Sequence, residues 1–199
     1  MSRAFFDELG ATHPDVKVEE LDLHGEGLPS LNPHVLGEDA HAFAMGQKFA
    51  AMYGADVPKT QDPSWQAIVA LIDQFKAADR YVISAPMWNW SVPYSLKYYL
   101  DCLIQPGVTL RVDENGNYVG LITGKKLVFV TARGGDYSEG SPLAPMNFQE
   151  GHMNLCFGAM GVTDITWVIA QPCDLGPAED AVAAASEQAR AIAASDWAE

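Results

Sequence analysis

The sequence predicts an α/β fold in which a parallel sheet lies between two layers of helices, joined by right-handed crossovers. Three observations carry that expectation. Short apolar runs at 81–85, 127–131 and 165–170 alternate along the chain with stretches of helical periodicity. The run Leu127-Val128-Phe129-Val130-Thr131 is uninterrupted, as in a strand covered on both faces. No linker, repeat or low-complexity segment interrupts the 199 residues, so one domain over 1–199 is expected, large enough to bury a real core.

Residues 2–10 read as a helix with Phe5, Phe6 and Leu9 on one side and Gly10 near its end. His13-Pro14-Asp15 makes a turn. Residues 16–23 then alternate apolar and polar for much of their length, as an edge strand does. A loop over 25–33 leads to a second helical pattern over 37–54, carried by Ala40, Phe43, Ala44, Phe49 and Met52 and weakened by Gly46. Asp62 and Pro63 suit the cap and first position of the next helix, whose apolar face is Trp65, Ile68, Val69, Ile72 and Phe75.

The strand at 81–85 stops at Pro86. Beyond a ring-rich loop, Pro93 fits a first helical turn, and Leu96, Tyr99, Leu100, Leu103 and Ile104 form one face, with Lys97 and Asp101 outside it. Leu110-Arg111-Val112 and Tyr118-Val119-Gly120 flank Asn115-Gly116, the mark of a hairpin. After the strand at 127–131 come a loop over 132–137 and a helical stretch over 146–160. Phe148, Met153, Leu155, Cys156 and Met160 are among the apolar positions of that stretch. A strand over 165–170 and an alanine-rich helix over 177–194 complete the order.

Hydrophobic residues at 48% and charged residues at 19% read as globular. The net charge of −14, unbroken by any cluster of Lys or Arg, repels nucleic acid and anionic membrane surfaces, so neither is an expected partner. Cys102, Cys156 and Cys173 are odd in number and lack metal spacing, which fits a reduced cytoplasm. The start carries acid within its first turns, unlike a signal peptide, and no apolar span is long enough to cross a bilayer. His34, His41 and His152 form no metal motif. Gly25-Glu26-Gly27 follows a strand without opening a helix, so it fails as a dinucleotide fingerprint. No local nucleophile with a supporting base can be assembled.

The best functional lead is the loop Met87-Trp88-Asn89-Trp90 at the carboxyl end of the strand at 81–85. In doubly wound sheets ligands sit in that crevice, because backbone amides and helix starts are exposed there. Aromatic residues near strand ends are more often packing than ligand contacts. Two indoles and a thioether beside free amides nevertheless suit a flat, partly polar heterocycle. Gly134-Gly135, at the end of the next strand, lets backbone approach a ligand plane with no Cβ in the way, although a lone Gly-Gly is ordinarily a plain turn.

The wording of the loop separates these readings. Ala85-Pro86-Met87-Trp88-Asn89-Trp90-Ser91-Val92-Pro93, then Leu96-Lys97-Tyr98-Tyr99-Leu100-Asp101 and Gly107-Val108-Thr109-Leu110, closely resembles the FMN-dependent NADH:quinone oxidoreductases, also called azoreductases. The resemblance spans roughly residues 2–194. It implies a flavodoxin-like three-layer α/β/α fold, a homodimer, and hydride transfer from NADH or NADPH through bound FMN to quinones, azo compounds or similar acceptors. By the same resemblance Met87, Trp88, Asn89 and Trp90 hold the flavin ring, and Ala132, Arg133, Gly134 and Gly135 line its other side. Tyr137 stands near the pyrimidine edge, where many members have His, and Ala132 replaces a common Ser. The hairpin and the helix after Pro145 are expected to shape the acceptor site, and Arg133 to offset the repulsion between an acidic protein and NADH.

One element that the resemblance implies has no counterpart in the sequence. Family members begin with a strand and a Ser-rich loop that binds the FMN phosphate. Here the sequence opens within the corresponding helix, so the first, central strand is expected to be missing from the sheet. Two other functions stay open: a non-catalytic flavodoxin-fold interaction module, which the missing loop supports, and a one-electron flavodoxin-like carrier, which the acidic charge suits.

Overall fold

A computed structural model describes residues 1–25, 28, 63–195 and 197. In order, their elements are α1 (Ser2–Thr12), α2 (Pro63–Ala77), β1 (Arg80–Ser84), α3 (Tyr94–Leu103), β2 (Leu110–Val112) and β3 (Tyr118–Gly120). There follow β4 (Lys126–Ala132), a 3-10 turn (Ala144–Met146), α4 (Phe148–Met160), β5 (Asp164–Ala170) and α5 (Ala178–Ala193). The helix expected over 37–54 lies outside the described residues, as do His34, His41 and all of the expected 25–33 loop except Gly25 and Leu28.

β4 is the centre of the sheet. It pairs in parallel with β1, from Arg80↔Lys126 to Ser84↔Val130, and with β5, from Lys126↔Asp164 to Ala132↔Ala170. Alternation along the strand sends Leu127 and Phe129 to one face and Val128 and Val130 to the other. The first pair packs with Ile72, Leu100, Leu103, Met153, Phe157 and Met160 of α2, α3 and α4. The second packs with Phe5 and Leu9 of α1 and with Ala185, Ala189 and Ala193 of α5. All four β4 side chains are buried, each contributing roughly 1.5–3 kcal/mol of apolar burial. The three layers are therefore those expected, with the polar ends of β1 and β4 emerging side by side.

The hairpin of β2 and β3 is antiparallel as expected, and the Asp113 carboxylate closes its turn by accepting from the amides of Asn115 and Asn117. The Asn117 amide, with that residue's side chain, holds the Asp113 carboxyl below the ordinary carboxylate range. Gly120 crosses the end of α4 so closely that a Cβ there would stand 2.1 Å from the Gly161 nitrogen. Only glycine fits.

Several elements depart from the pattern in the sequence. α1 runs past Gly10 to Thr12, and Phe6 is turned outward, because Phe5 and Leu9, four apart, define the buried side. Pro93 and Pro177 are extended cap residues and do not belong to the first turn. The stretch over 146–160 divides at Asn147, whose side chain accepts from the Glu150 amide and starts α4 anew. Within α4, Met153, Phe157 and Met160 are buried, whereas Phe148 and Leu155 are exposed. The largest departure is at 16–23. No strand is assigned there, none pairs with it among the described residues, and Val16 and Val18 are exposed. Nor is a strand paired to the outer edge of β1 among the described residues. Alternation assigns sides to side chains, but pairing needs a neighbour about 4.8 Å away. No helix among the described residues is long and apolar enough to cross a membrane.

Candidate functional site

Two loops leave the adjacent carboxyl ends of β1 and β4. The ladder continues past β1, with the Ala85 amide donating to Val130 O at 3.0 Å and the Met87 amide to Ala132 O at 3.0 Å. The chain then folds back in a tight turn, closed by Trp88 N to Ser91 O at 3.1 Å and Ser91 N to Trp88 O at 3.0 Å. Its central residues, Asn89 and Trp90, have φ of 46° and 67°. Asparagine visits the left-handed region readily, but tryptophan does not, and such a conformation costs about 1–3 kcal/mol. Strain of that kind collects where a loop is held for a purpose.

The second loop is anchored from the other side. Arg133 N donates to Ala170 O, and Cys173 N to Arg133 O, both at 2.9 Å. The carbonyl of Gly134 accepts from Asp174 N at 2.9 Å and from Leu175 N at 3.3 Å. A Cβ on Gly134 would lie 2.2 Å from the Asp174 Oδ2, and one on Gly135 would lie 2.6 Å from the Leu143 Cδ1. The Asp174 and Leu143 side chains thus pack directly on the two glycines and would have to turn aside for any Cβ there.

Between the loops lies a cleft of about 370 Å³, within the range of small-molecule sites. Met87, Asn89 and Trp90 form one wall, Gly134, Gly135 and Tyr137 the second, and Leu143, Asp174 and Leu175 the third. Six of the nine residues expected from the sequence therefore meet at one place. Trp88 faces elsewhere, its ring 6.3 Å from that of His24. Ala132 does not line the cleft, and its carbonyl is taken by Met87 N.

Arg133 is the clearest correction. Its side chain is fully buried, so it offers no surface charge to a dinucleotide. It donates from Nε to Gln149 Oε1 at 3.0 Å and from Nη1 to Glu150 Oε1 at 2.8 Å, and its guanidinium lies 5.7 Å from the Trp167 ring centre. Gln149 Oε1 also accepts from Thr131, and Gln149 Nε2 donates to Pro86 O at 3.3 Å. Phe148 N donates to Trp90 O at 3.1 Å. The start of α4 therefore clasps both loops at once, with Arg133 inside the clasp and not in the cleft.

Leu143, Asp174 and Leu175 were not legible as site residues. They reach the cleft from the turn before α4 and from the exit of β5, and no local motif marks them. Asp136, next to the cleft, is held below the ordinary carboxylate range by hydrogen bonds from Ser138. On α4, burial and the nearby Lys97 push the His152 pKa down, and burial pushes the Cys156 thiol up.

The residues present fit a flavin ring. Among the described residues no hydrogen bond uses the amides of Asn89, Trp90, Gly134 or Gly135, and Gly135 is buried. Unpaired amides on two walls, beside an indole and a thioether, match a flat heterocycle edged with carbonyl and ring-nitrogen acceptors.

Known proteins resemble the chain over nearly its whole length. A family model described as the flavodoxin-like fold matches residues 1–193. An FMN-dependent NADH:quinone oxidoreductase of Nitratidesulfovibrio vulgaris is 36% identical over 193 residues, covering 96% of this chain and 88% of that protein. Another, from a Bradyrhizobium species, is 42% identical over 151 residues, covering 75% of each. Among solved structures, an azoreductase from Bacillus anthracis superposes with a TM-score of 0.79 at 30% identity, covering 96% of this chain and 88% of that one.

Proposed function

The chain belongs to the flavodoxin-like family of FMN-dependent NADH:quinone oxidoreductases, and from that premise we infer that it carries hydride from NADH through bound FMN to quinones, azo compounds or similar acceptors. The single observation that carries the reading is the meeting of the strained 88–91 turn and the Gly134-Gly135 turn across one cleft, with unpaired amides on both. Bound FMN supplies the chemistry, accepting a hydride and releasing it. The chain's own residues bind and orient. Met87 and Trp90 offer apolar surface for the ring, and the amides of Asn89, Trp90, Gly134 and Gly135 offer donors to its polar edge. The Tyr137 phenol adds a further donor at the second wall. The clasp of α4 keeps the two walls at a fixed separation.

A homodimer completes this proposal. Phe148 and Leu155 are exposed on α4, and Phe148 bonds through its amide to Trp90 at the cleft rim. A second copy covering that face would close the acceptor side and exclude water. That Cys102, Cys156 and Cys173 form no disulfide among the described residues supports a reducing, cytoplasmic setting.

The test is a titration with FMN followed by fluorescence and visible absorption. A yellow holoprotein, bleached anaerobically by NADH and recoloured by a quinone, is the expected result. Asn89→Leu should weaken FMN binding about tenfold, because leucine is strained at this left-handed position and shifts the turn that aims the backbone amides. A colourless protein with no FMN affinity would leave only a non-catalytic module.

A further inference from the structure

We propose that the Asp174 carboxylate makes the cleft hold an oxidised flavin ring more tightly than a reduced one, so that it sets the reducing strength of the bound cofactor. The proposal rests on the flavin reading of the cleft. Of the nine residues that line it, Asp174 alone carries a formal charge. The carboxylate stands over Gly134, with Oδ2 filling the space where a Cβ would be. The backbone that carries it is held by hydrogen bonds from the Asp174 and Leu175 amides to Gly134 O. Among the described residues no hydrogen bond or ion pair engages the carboxylate. The nearest loop cation, Arg133, is turned inward and paired with Glu150. A negative charge without a counter-ion therefore faces whatever occupies the cleft.

The consequence is electrostatic. Reduction by NADH adds two electrons and one proton to the ring and converts the donor to NAD+, so the ring gains one negative charge. A nearby carboxylate disfavours that gain, the more so when the ring itself excludes water from the cleft. This lowers the potential of the bound couple relative to free FMN.

The experiment is an anaerobic redox titration of the FMN-loaded protein, wild type against Asp174→Asn and Asp174→Glu, with Asp164→Asn at the amino end of β5, the far end of the strand from the cleft, as a control. Asp174→Asn keeps the side-chain shape, removes the charge, and should favour the reduced ring about tenfold, a rise of about 30 mV for a two-electron couple. Asp174→Glu restores the charge and should return the potential towards wild type, and Asp164→Asn should leave it unmoved. An unchanged potential in Asp174→Asn overturns the proposal while FMN binding by wild type keeps the flavin reading intact. Equal shifts in Asp174→Asn and Asp164→Asn overturn it too, since the effect would then be one of net charge. Loss of FMN by Asp174→Asn alone overturns it by making the carboxylate a binding contact. Failure of wild type to bind FMN overturns both readings.

Discussion

Gln149 illustrates how one buried side chain governs a site it never touches. Its carboxamide accepts from Arg133 and Thr131 and donates to Pro86, joining the ends of β1 and β4 to α4. Gln149→Leu preserves volume but strands the Arg133 Nε–H and the Thr131 hydroxyl in a fully buried place. Unsatisfied buried donors of this kind cost about 2–3 kcal/mol together. For a chain of this size the expected fall in melting temperature is roughly 5–10 °C, read by circular dichroism. FMN affinity should fall as well, because the two walls lose their fixed spacing; affinity unchanged beside a lowered melting temperature would make the clasp structural only. Residue-scale detail was partly legible. The order of residues 87–90 pointed to the loop, but the left-handed turn at Asn89 and Trp90 rotates neighbouring side chains to different sides, so Trp88 leaves the site. Arg133 sits in a ligand-facing motif and still points inward, because Glu150 and Gln149 arrive from a distant element. Asp174 enters from β5 with no neighbouring motif to announce it.

At the scale of elements, α4 shows why periodicity names helices more reliably than it names their buried faces. Met153, Phe157 and Met160 turn inward, while Phe148 and Leu155 are 62% and 65% exposed. A helix that is apolar on two sides is the usual mark of a second partner, since large exposed apolar patches rarely stand alone. His152 lies one turn beyond Phe148 on the same side, with Lys97 and Asp101 of α3 nearby. If the proposed dimer uses this face, wild type should sediment as a dimer and a Phe148→Asp, Leu155→Asp double variant as a monomer, with its far-ultraviolet dichroism retained. A dimer that survives both charges would place the contact elsewhere. The depressed pKa of His152 adds a pH dependence with a definite sign. Its folded state binds fewer protons than the unfolded state, so its contribution to stability is complete above about pH 6.5 and lost as pH falls through the folded value. His152→Gln should remove that part of the acid-side loss in a series of urea melts. The 16–23 segment gives the converse lesson, for its alternation is plain in the sequence and yet no neighbouring strand among the described residues receives it.

For the whole molecule, the α/β class was readable because each central strand is a single apolar run and each helix carries a buried stripe, patterns that different loops do not disturb. Net charge was equally readable, and it makes its own demand. At −14 the protein repels NADH, itself an anion, and the one cation expected to relieve this locally is sealed inside the clasp. The cleft instead presents Asp174, with Asp136 close by. Long-range repulsion should therefore slow the approach of NADH at low ionic strength. Screening shortens the reach of the field from about 30 Å near 0.01 M salt to about 8 Å near 0.15 M. Over that range the KM for NADH should fall severalfold with kcat nearly constant, while the KM for an uncharged quinone stays level, because only the charged substrate feels the field during approach. Steady-state kinetics at constant pH, varying one substrate at a time across the salt series, reads both slopes. A KM for NADH that rises with salt would mean that a cationic patch guides the dinucleotide after all, against the inward placement of Arg133.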